Sequence, residues 1–554
     1  MRSTRYRLPA WQWVITNPVA LAALFFVLLL LRRGQQLFSP QVWDEDGTQI
    51  IRDFINEGAI ALFKPVNGYL VLAPKLISWL SLSVSFSFYP YVSTILTWAF
   101  ILAVLLLIAL YPSKLSGGVL LSLCVLLVPT HPEVFGIPLA SLWWASSLLL
   151  VVLFWDEQAG NLPLRIGCIV LGGLSSPTIM MVTPLFWARA WLYRGLRREW
   201  LLAGVASLCF VAQLCAMMQT GVASKLPRFT AYDGLAIFEK FFGLYAIGQM
   251  RLLRAPALLA AASIIVLGVA AVALWRQRKT AAAWFLGYLL LGSIALSVSR
   301  VSAAVLHPLH GGPRYFFLPY ILLSWLLLQV ACRPTHRLLL RRTAQVILVI
   351  AAVNALPHLW STHDELNWRN HVASSVHFDR YAIPIEAHGA ACELCYLPVR
   401  GTQAATLLAH DPLGAWSRSL AVYPYAVVEF SAAPVQPHVA STQALRKNEW
   451  QKVTTSSTAP ARFAAFRATG QADARSLTFR LHRGDCVLFR SSPKAFGLTA
   501  TIEGADHTFA TELLPSTAWK WLTFSNRLLP ATLTVTLRNR DPDPQQWAEV
   551  AFAP

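Results

Sequence analysis

Long apolar runs separated by short polar loops dominate the first 360 residues. A transmembrane helix needs about 20 apolar residues, so the shorter runs are expected to be tilted or broken. The pattern predicts a polytopic α-helical membrane domain over residues 1–360, with about eleven crossings. The apolar segments are 13–31, 90–110, 117–129, 138–155, 164–174, 178–193, 199–219, 257–275, 281–299, 315–331 and 343–360.

From about residue 361 the sequence becomes more polar and the hydrophobic period changes. Apolar residues alternate with polar ones at 477–481, 498–502 and 532–537, as in half-buried strands. We predict a mixed connecting layer over residues 361–419. A β-rich domain, expected from this alternation to be a sandwich, follows over residues 420–554.

Composition agrees with a membrane protein, because 56% of residues are hydrophobic and only 13% are charged. The formal charge of +19 would suggest nucleic acid as the partner of a soluble protein, but here the basic residues concentrate in short loops, where they favour the cytoplasmic side. No nucleic-acid partner is expected. The loop residues are Arg189, Arg194, Arg197 and Arg198, then Arg276, Arg278 and Lys279, then Arg333, Arg337, Arg341 and Arg342.

These loops predict a topology with the N-terminus inside and the C-terminal domain outside. Arg32 and Arg33 conflict with it, since they follow the first apolar segment on the side predicted to be external. No small-x-small cleavage site follows that segment, so it is not expected to be a cleaved signal.

The first external loop, residues 32–89, carries three consecutive acids in Trp43-Asp44-Glu45-Asp46-Gly47. Taken alone, the triplet is better explained by a solvated loop. Residues 50–57 follow with apolar side chains at helical spacing, which predicts an amphipathic helix lying along the membrane interface. A second candidate, interfacial or re-entrant, runs from Tyr69 to about Ser81.

On the predicted topology, further polar motifs reach the same outer face. Each is individually typical of a loop or helix cap, and only their convergence indicates a site. The substrate-binding candidates among them and in the first loop are Asp44, Lys64, Asn67, Tyr69, His131, Glu133, His310, Arg314 and Tyr315.

The run "WDEDGTQIIRDFINEGAIALFKPVNGYLVLAPKLISWL", with "HPEVFG", "GLSSPT" and "GGPRYFFLPY" behind it, resembles the GT-C class of bacterial membrane glycosyltransferases. The resemblance covers roughly residues 1–385. It implies an acid of the first loop as catalytic base, at the positions of Glu45 and Asp46. It also implies a polyprenyl-phosphate-linked sugar as donor, the bacterial inner membrane as location and a periplasmic C-terminal domain.

The residue types suit that chemistry. A carboxylate can deprotonate an attacking hydroxyl, and the planar fork of Arg314 can meet the charge of a departing phosphate. Lys64 and Lys75 are weaker candidates for that phosphate. An interfacial anchor explains Arg314 equally well. Direct displacement with one base would invert the anomeric centre. The acceptor, a glycan, lipid or protein, is left open, as are a lipid-linked saccharide flippase and a non-catalytic envelope assembly protein.

No certain cofactor is indicated. Three acids could hold a divalent cation, but neither their spacing nor histidine partners require one. The sequence has no phosphate-binding glycine-rich loop and no GxSxG motif, which favours a lipid-linked donor. Cys392, Cys395 and Cys486 fall in the outer region, where a disulfide between two of them is expected without a fixed pairing.

Overall fold

The computed structural model of the chain divides into two compact units. The helical unit comprises Met1–Pro40, Ala59–Leu80 and Ser93–Asp364, and the mixed unit comprises Gln41–Gly58, Ser81–Val92 and Glu365–Pro554. The first external loop is therefore shared between the units. The structure describes residues 17–221, 231–248, 256–299, 301, 306–309, 312–333, 336–358, 368–376, 380–386, 396–413, 426–430, 438–439, 442–449, 451–453, 464–469, 476–482, 485–492, 498–503, 508–512, 520–525, 532–539 and 545–552.

Each predicted apolar segment contains an α-helix. Two wide π-type turns, Asp46–Ile51 and Glu239–Gly243, and the 3₁₀ segments Gly58–Phe63 and Pro132–Val134 interrupt the helical series. The helices are α1 (Pro18–Arg33), α2 (Gln35–Phe38), α3 (Arg52–Glu57), α4 (Leu72–Val84), α5 (Tyr89–Leu110), α6 (Gly118–Leu126), α7 (Ser141–Leu153), α8 (Leu162–Gly173), α9 (Thr178–Leu192), α10 (Arg197–Thr220), α11 (Ala231–Phe238), α12 (Leu244–Ile247), α13 (Pro256–Arg276), α14 (Ala281–Val298), α15 (Arg314–Cys332), α16 (Leu338–Ala355), α17 (Trp368–Ser375) and α18 (Gly401–Ala409).

Among the described residues, six helices are long and apolar enough to cross a membrane: α5, α10, α13, α14, α15 and α16. The apolar helices α4, α7 and α8 are shorter, as expected from the lengths of their sequence segments. Helix α15 is the central one, since 89% of its most apolar stretch is buried. A helical membrane-type domain followed by a β-rich region, the predicted fold class, is confirmed.

The helical unit contains a buried charge cluster that joins three helices. Glu199 on α10 accepts hydrogen bonds from Arg165 on α8, at 2.8 and 3.0 Å, and from Arg189 on α9, at 2.7 and 3.3 Å. All three side chains are at most 1% exposed. Arg189 is therefore not the solvated loop anchor that the sequence suggested, but part of a pairing that joins three neighbouring helices.

In the mixed unit, the predicted connecting layer is an α/β assembly. Strands β1 (Arg380–Pro384) and β2 (Tyr396–Arg400) pair antiparallel, with Ile383 opposite Leu397, and α17 and α18 pack beside them. The loop segments 41–58 and 81–92 contribute to the same hydrophobic core. Its buried members are Val42, Ile51, Phe86, Tyr89, Trp368, Val372, Tyr381, Ile383, Ile385, Leu397, Val399 and Ala404.

The predicted β-rich region contains two sheets that share one core. The strands are β3 (Ala426–Phe430), β4 (His438–Val439), β5 (Leu445–Asn448), β6 (Gln451–Val453), β7 (Ala464–Thr469), β8 (Ser476–His482), β9 (Asp485–Ser491), β10 (Leu498–Glu503), β11 (Thr508–Glu512), β12 (Lys520–Ser525), β13 (Thr532–Asn539) and β14 (Trp547–Phe552). One sheet has the order β11-β10-β13-β8-β5 and the other β3-β12-β9-β14-β7-β6, with β4 parallel to β9. In β13 the leucines and Val535 face the core while the threonines lie on the other face, as the alternation predicts.

Candidate functional site

The acidic turn, Trp43–Gly47, lies in the mixed unit and is fixed at its start by backbone pairing. Trp43 forms a parallel bridge with Glu386, and the Glu386 N–H donates to the Val42 carbonyl at 2.7 Å. The chain then enters a helical turn, in which the Gly47 N–H donates to the Trp43 carbonyl at 2.9 Å. The three acids therefore lie on a hydrogen-bonded helical turn whose first residue is held to a neighbouring segment.

The three carboxylates differ in environment. Asp44 and Glu45 are partly exposed, whereas Asp46 is completely buried. The indole N–H of Trp43 donates to Glu45 Oε2 at 3.1 Å. The Thr48 hydroxyl donates to the Asp44 carbonyl at 2.9 Å. One carboxyl is thus enclosed by protein, and the two that precede it are within reach of solvent.

Gly47 allows this turn to approach its support closely. A Cβ added there would lie 2.8 Å from Cδ1 and 3.0 Å from Cγ2 of Ile385, closer than side chains normally pack. Ile51, one turn later, belongs to the same buried core as Ile385. The predicted amphipathic helix is present as Asp46–Ile51 continuing into α3, but much of its apolar face packs into protein, which corrects the expectation of a face lying along the bilayer.

A buried imidazole lies in the layer that supports the turn. His371 on α17 makes a 2.8 Å hydrogen bond through Nδ1 with the hydroxyl of Tyr381 on β1. Burial lowers the pKa of His371 to about 4, because the apolar core disfavours the charged imidazolium. The layer is therefore assembled with a neutral histidine at neutral pH.

In the helical unit, the predicted His131-Pro132-Glu133 motif is a turn built by two buried arginines. Arg32 donates to the carbonyls of Val128 and Thr130, at 3.1 and 2.9 Å, and to a third carbonyl, that of Ala355, at 3.3 Å. Arg33 donates to the carbonyls of Pro132 and Glu133 at 3.2 and 3.1 Å. Both arginines are nearly inaccessible, at 1% and 4% exposure.

This arrangement accounts for the charge conflict in the topology. The positive-inside rule concerns cationic side chains in loops beside the membrane, and Arg32 and Arg33 are instead committed to backbone carbonyls inside the protein. Sequence reasoning missed their role in shaping the site. The sequence did contain a signal of that role, because Arg32 and Arg33 occupy positions that the positive-inside rule disfavours.

Arg314 lies beside this turn. It begins α15, and its Nε is 3.5 Å from Oε1 of the buried Glu133. That separation exceeds the roughly 2.7–2.9 Å of a strong charge-assisted hydrogen bond. The guanidinium is 21% exposed and lies at the N-terminal end of a 19-residue helix, where the helix dipole favours anions.

The neighbours of Arg314 give the site an aromatic edge. The Tyr315 ring meets Trp143 edge-to-face at 6.0 Å, and the Ser297 hydroxyl donates to the Tyr315 carbonyl at 2.7 Å. The His131 N–H donates to the Pro308 carbonyl at 3.0 Å. The structure therefore brings His131, Glu133, Arg314 and Tyr315 into one neighbourhood of the helical unit.

Asn67 has a backbone role. The N–H and carbonyl groups of Val66 and Tyr69 bond to each other, at 2.9 and 3.1 Å, around a two-residue turn in which Asn67 and Gly68 have φ of 49° and 95°. Asn-Gly is the dipeptide best suited to such a turn. Tyr69 is partly buried where the turn closes. The Asn67 side chain is exposed, and a structural explanation of its residue type suffices.

Lys64 and Lys75 lie in different environments. Lys75 is fully buried, and its ammonium donates to the carbonyls of Ala61 and Lys64 at the end of a 3₁₀ segment. It is therefore a structural clamp, and the weak expectation that it meets a phosphate is corrected. The Lys64 residue itself is exposed.

The "GLSSPT" motif is occupied by internal contacts. The Ala73 N–H donates to the Ser175 hydroxyl at 2.8 Å. The hydroxyls of Ser146, Ser176 and Thr178 lie within 2.8–3.1 Å of one another and are buried. These contacts join α4, α7 and the start of α9, so the motif stabilises the helical unit rather than facing a ligand.

Two sets of predicted residues cannot be placed. His310, Cys392 and Cys395 lie outside the described residues, as does the side chain of Cys486. In the part of the chain that the structure describes, no group of three or more His, Cys, Asp or Glu side chains is arranged to hold a metal ion.

No protein-family model and no curated protein matches this chain. Among solved structures, it is similar to the arabinosyltransferase EmbB from Mycobacterium smegmatis, at 13% identity and a TM-score of 0.29. The similarity covers 100% of this chain and 66% of that protein, so the chain spans less than two thirds of its length. A similarity this loose carries no argument, so the functional argument rests on the residues themselves.

Proposed function

We propose that this protein is a GT-C-type membrane glycosyltransferase that moves a sugar from a polyprenyl-phosphate donor to a glycan, lipid or protein acceptor on the outer face of the bacterial inner membrane. The observation that carries the proposal is the acidic turn, three consecutive carboxylates anchored to a packed layer of the mixed unit. Catalytic groups are typically held in position by rigid, well-packed elements.

The reaction assigns a role to each group. The acceptor hydroxyl loses its proton to the carboxylate of Asp46 while its oxygen bonds to the anomeric carbon of the sugar. The bond from that carbon to the phosphate oxygen breaks, and the electron pair leaves with the polyprenyl phosphate. This single displacement inverts the anomeric centre. Because Asp46 is completely buried, the proposal requires acceptor binding to uncover it, with Glu45 as its partner.

The departing phosphate is assigned to Arg314. Its partial exposure and its place at the start of α15, where the helix dipole favours anions, support this role. A phosphate can take two hydrogen bonds from a guanidinium.

The test compares Asp46→Asn and Glu45→Gln with the wild type, and Glu57→Gln serves as control because Glu57 is exposed on α3 close to the turn. Sugar transfer is measured per molecule of folded protein, after mass analysis of envelope glycans from cells with and without the gene identifies the product. Asp46→Asn should lose roughly 10²–10⁴-fold in rate, the contribution of a positioned base, while the control keeps full activity. If only Glu45→Gln is inactive, Glu45 is the base. Full activity in both variants would exclude the transferase assignment.

A further inference from the structure

A cluster of cations lies on the helical unit, at the end of α13, in the first turn of α16 and on the loops that precede α14 and α16. Residues 277–280 join α13 to α14, and residues 333–337 join α15 to α16. The two loops meet, since Nε2 of Gln277 lies 3.4 Å from Nε2 of His336 and both side chains are buried. The basic cluster is defined as Arg276, Arg278, Lys279, Arg333, Arg337 and Arg341.

Among the residues that the structure describes, no acidic side chain pairs with this cluster. The sequence contains no Asp or Glu between Glu239 and Asp364. Within the described residues, none of the six cations forms an ion pair, and the buried Nε of Arg341 has no hydrogen-bond acceptor. Arg276, Arg333 and Arg341 all act electrostatically on His336, so these three like charges repel one another, and an external anion that binds among them would be stabilised.

The positive charges of the cluster also act on His336. Its pKa is lowered, first by burial and then by the nearby charges of Arg333, Arg276 and Arg341. The imidazole is therefore neutral at neutral pH, and it adds no charge of its own to the cluster.

The surroundings of the cluster favour a lipid over a soluble anion. Trp275 and Trp284 are 67% and 66% exposed, and Leu338 and Leu339 are 64% and 79% exposed. The Arg278 guanidinium lies 4.1 Å from the Trp275 ring centre. The backbone carbonyl of Arg278 accepts a hydrogen bond from the Trp284 indole N–H at 2.7 Å. Exposed tryptophans beside arginines at the ends of apolar helices are typical of the headgroup level of a bilayer.

We infer that the basic cluster is a binding site for the phosphate headgroup of an anionic phospholipid, whose acyl chains lie against the exposed apolar residues of α13, α14 and α16. Basic pockets between transmembrane helices are suited to such headgroups, and each cation near the membrane surface contributes to the attraction. The inference is independent of the proposed transferase activity.

The test uses the full chain in nanodiscs of phosphatidylcholine mixed with phosphatidylglycerol, with native mass spectrometry to count the phosphatidylglycerol molecules that stay bound. Arg276→Gln/Arg341→Gln should lower phosphatidylglycerol affinity roughly 10- to 30-fold. Arg194→Gln/Arg197→Gln removes the same charge from exposed residues near another helix end and should retain binding. Arg276→Lys/Arg341→Lys keeps the charge, should keep most of the affinity, and shows that the site tolerates substitution.

Equal phosphatidylglycerol retention by the wild type and by the Arg276→Gln/Arg341→Gln variant would overturn the inference. The inference would also be overturned if the protein binds phosphatidylglycerol no more tightly than phosphatidylcholine. Capture of an acidic soluble protein by the cluster in nanodiscs of phosphatidylcholine would overturn it too, if phosphatidylglycerol does not compete.

Discussion

At the scale of single residues, position in the structure changes the meaning of charge. Asp44, Glu45 and Asp46 are adjacent in sequence, yet only Asp46 is fully enclosed. Arg32 resembles a topological anchor in sequence and is bonded to three carbonyls in the structure. Chemistry at this scale depends on which side chains the fold leaves within reach of a substrate.

Arg314 offers a direct test of phosphate binding. Arg314→Lys should lose part of the transfer rate, since the charge remains but the two-pronged geometry is lost, and Arg314→Ala should lose more. The rate is measured per molecule of folded protein. The matched control is Arg197→Ala, which replaces the arginine at the first position of α10. An unchanged specific rate in Arg314→Ala would rule out the phosphate role.

Gly47 tests whether close packing positions the acidic turn. Gly47→Ala places a methyl group against Ile385 and should destabilise the mixed unit by about 1–3 kcal/mol, or displace the turn and lower activity. Gly204→Ala, on α10 with open space at its Cβ, is the control. Stability is measured by thermal unfolding. Adding Ile385→Val should recover part of the loss, and a Gly47→Ala variant identical to wild type would contradict the packing argument.

At the scale of elements, buried polar contacts determine which helices and strands pack together. The Arg165–Glu199–Arg189 cluster connects α8, α9 and α10. The His371–Tyr381 hydrogen bond connects α17 to β1. Each of these interactions replaces hydrogen bonds to water that the side chains lose on burial. Removal of one partner therefore leaves the remaining buried polar groups without a hydrogen-bond partner.

Glu199→Gln should be among the most destabilising single changes in the helical unit. It leaves two buried guanidinium groups without a negative partner, which typically costs about 3–5 kcal/mol. Thermal unfolding in a mild detergent and the yield of folded protein measure the effect. The exposed Glu57→Gln should be close to neutral. If Glu199→Gln is as stable as that control, the cluster does not hold the three helices together.

His371 predicts a pH-dependent stability for the layer beneath the acidic turn. Its folded pKa of about 4 lies below the unfolded value of 6.5, so the stabilisation is complete above pH 6.5 and declines as pH falls towards 4. The loss should reach about 3 kcal/mol. Hydrogen exchange of α17 and β1 at pH 7.5 and 4.5 measures it. His371→Gln should flatten the dependence, and an unchanged pH profile in that variant would assign the effect to other groups.

At the scale of the whole molecule, the units are a helical one with six membrane-length helices in its described residues and a mixed one with three β-sheets in its described residues. The topology predicted from the sequence has the acidic turn on the outer side of a membrane, and this orientation is still a prediction. Transmembrane orientation is therefore the property on which the proposed lipid-linked donor depends.

Reporter fusions can establish that orientation. Fusions after Lys279 and Arg342 should report cytoplasm, because their loops carry most of the positive charge of this region, and a fusion after Ala433, which lies outside the described residues, should report the periplasm. A cytoplasmic signal from the last fusion would overturn the periplasmic placement. Reversal of all three would favour a nucleotide-sugar donor instead.

The sequence alone determined the positions of the helices and the change to β-structure. Apolar runs specify helices because a buried or lipid-facing backbone must satisfy its hydrogen bonds internally, and strict alternation specifies half-buried strands. The acidic triplet, the Asn-Gly dipeptide and the basic loops were also visible as patterns. These features depend on neighbours within a few residues, which is why a single chain reveals them.

Only the tertiary structure decided which of those residues are structural. Arg32 contacts residues 96–323 positions away, and Glu199 meets partners on two other helices. The first external loop shares a core with residues beyond 365, and this contact buries the face that the sequence suggested would meet the membrane. Such outcomes depend on the free energy of pairing groups distant in sequence, which local periodicity does not encode.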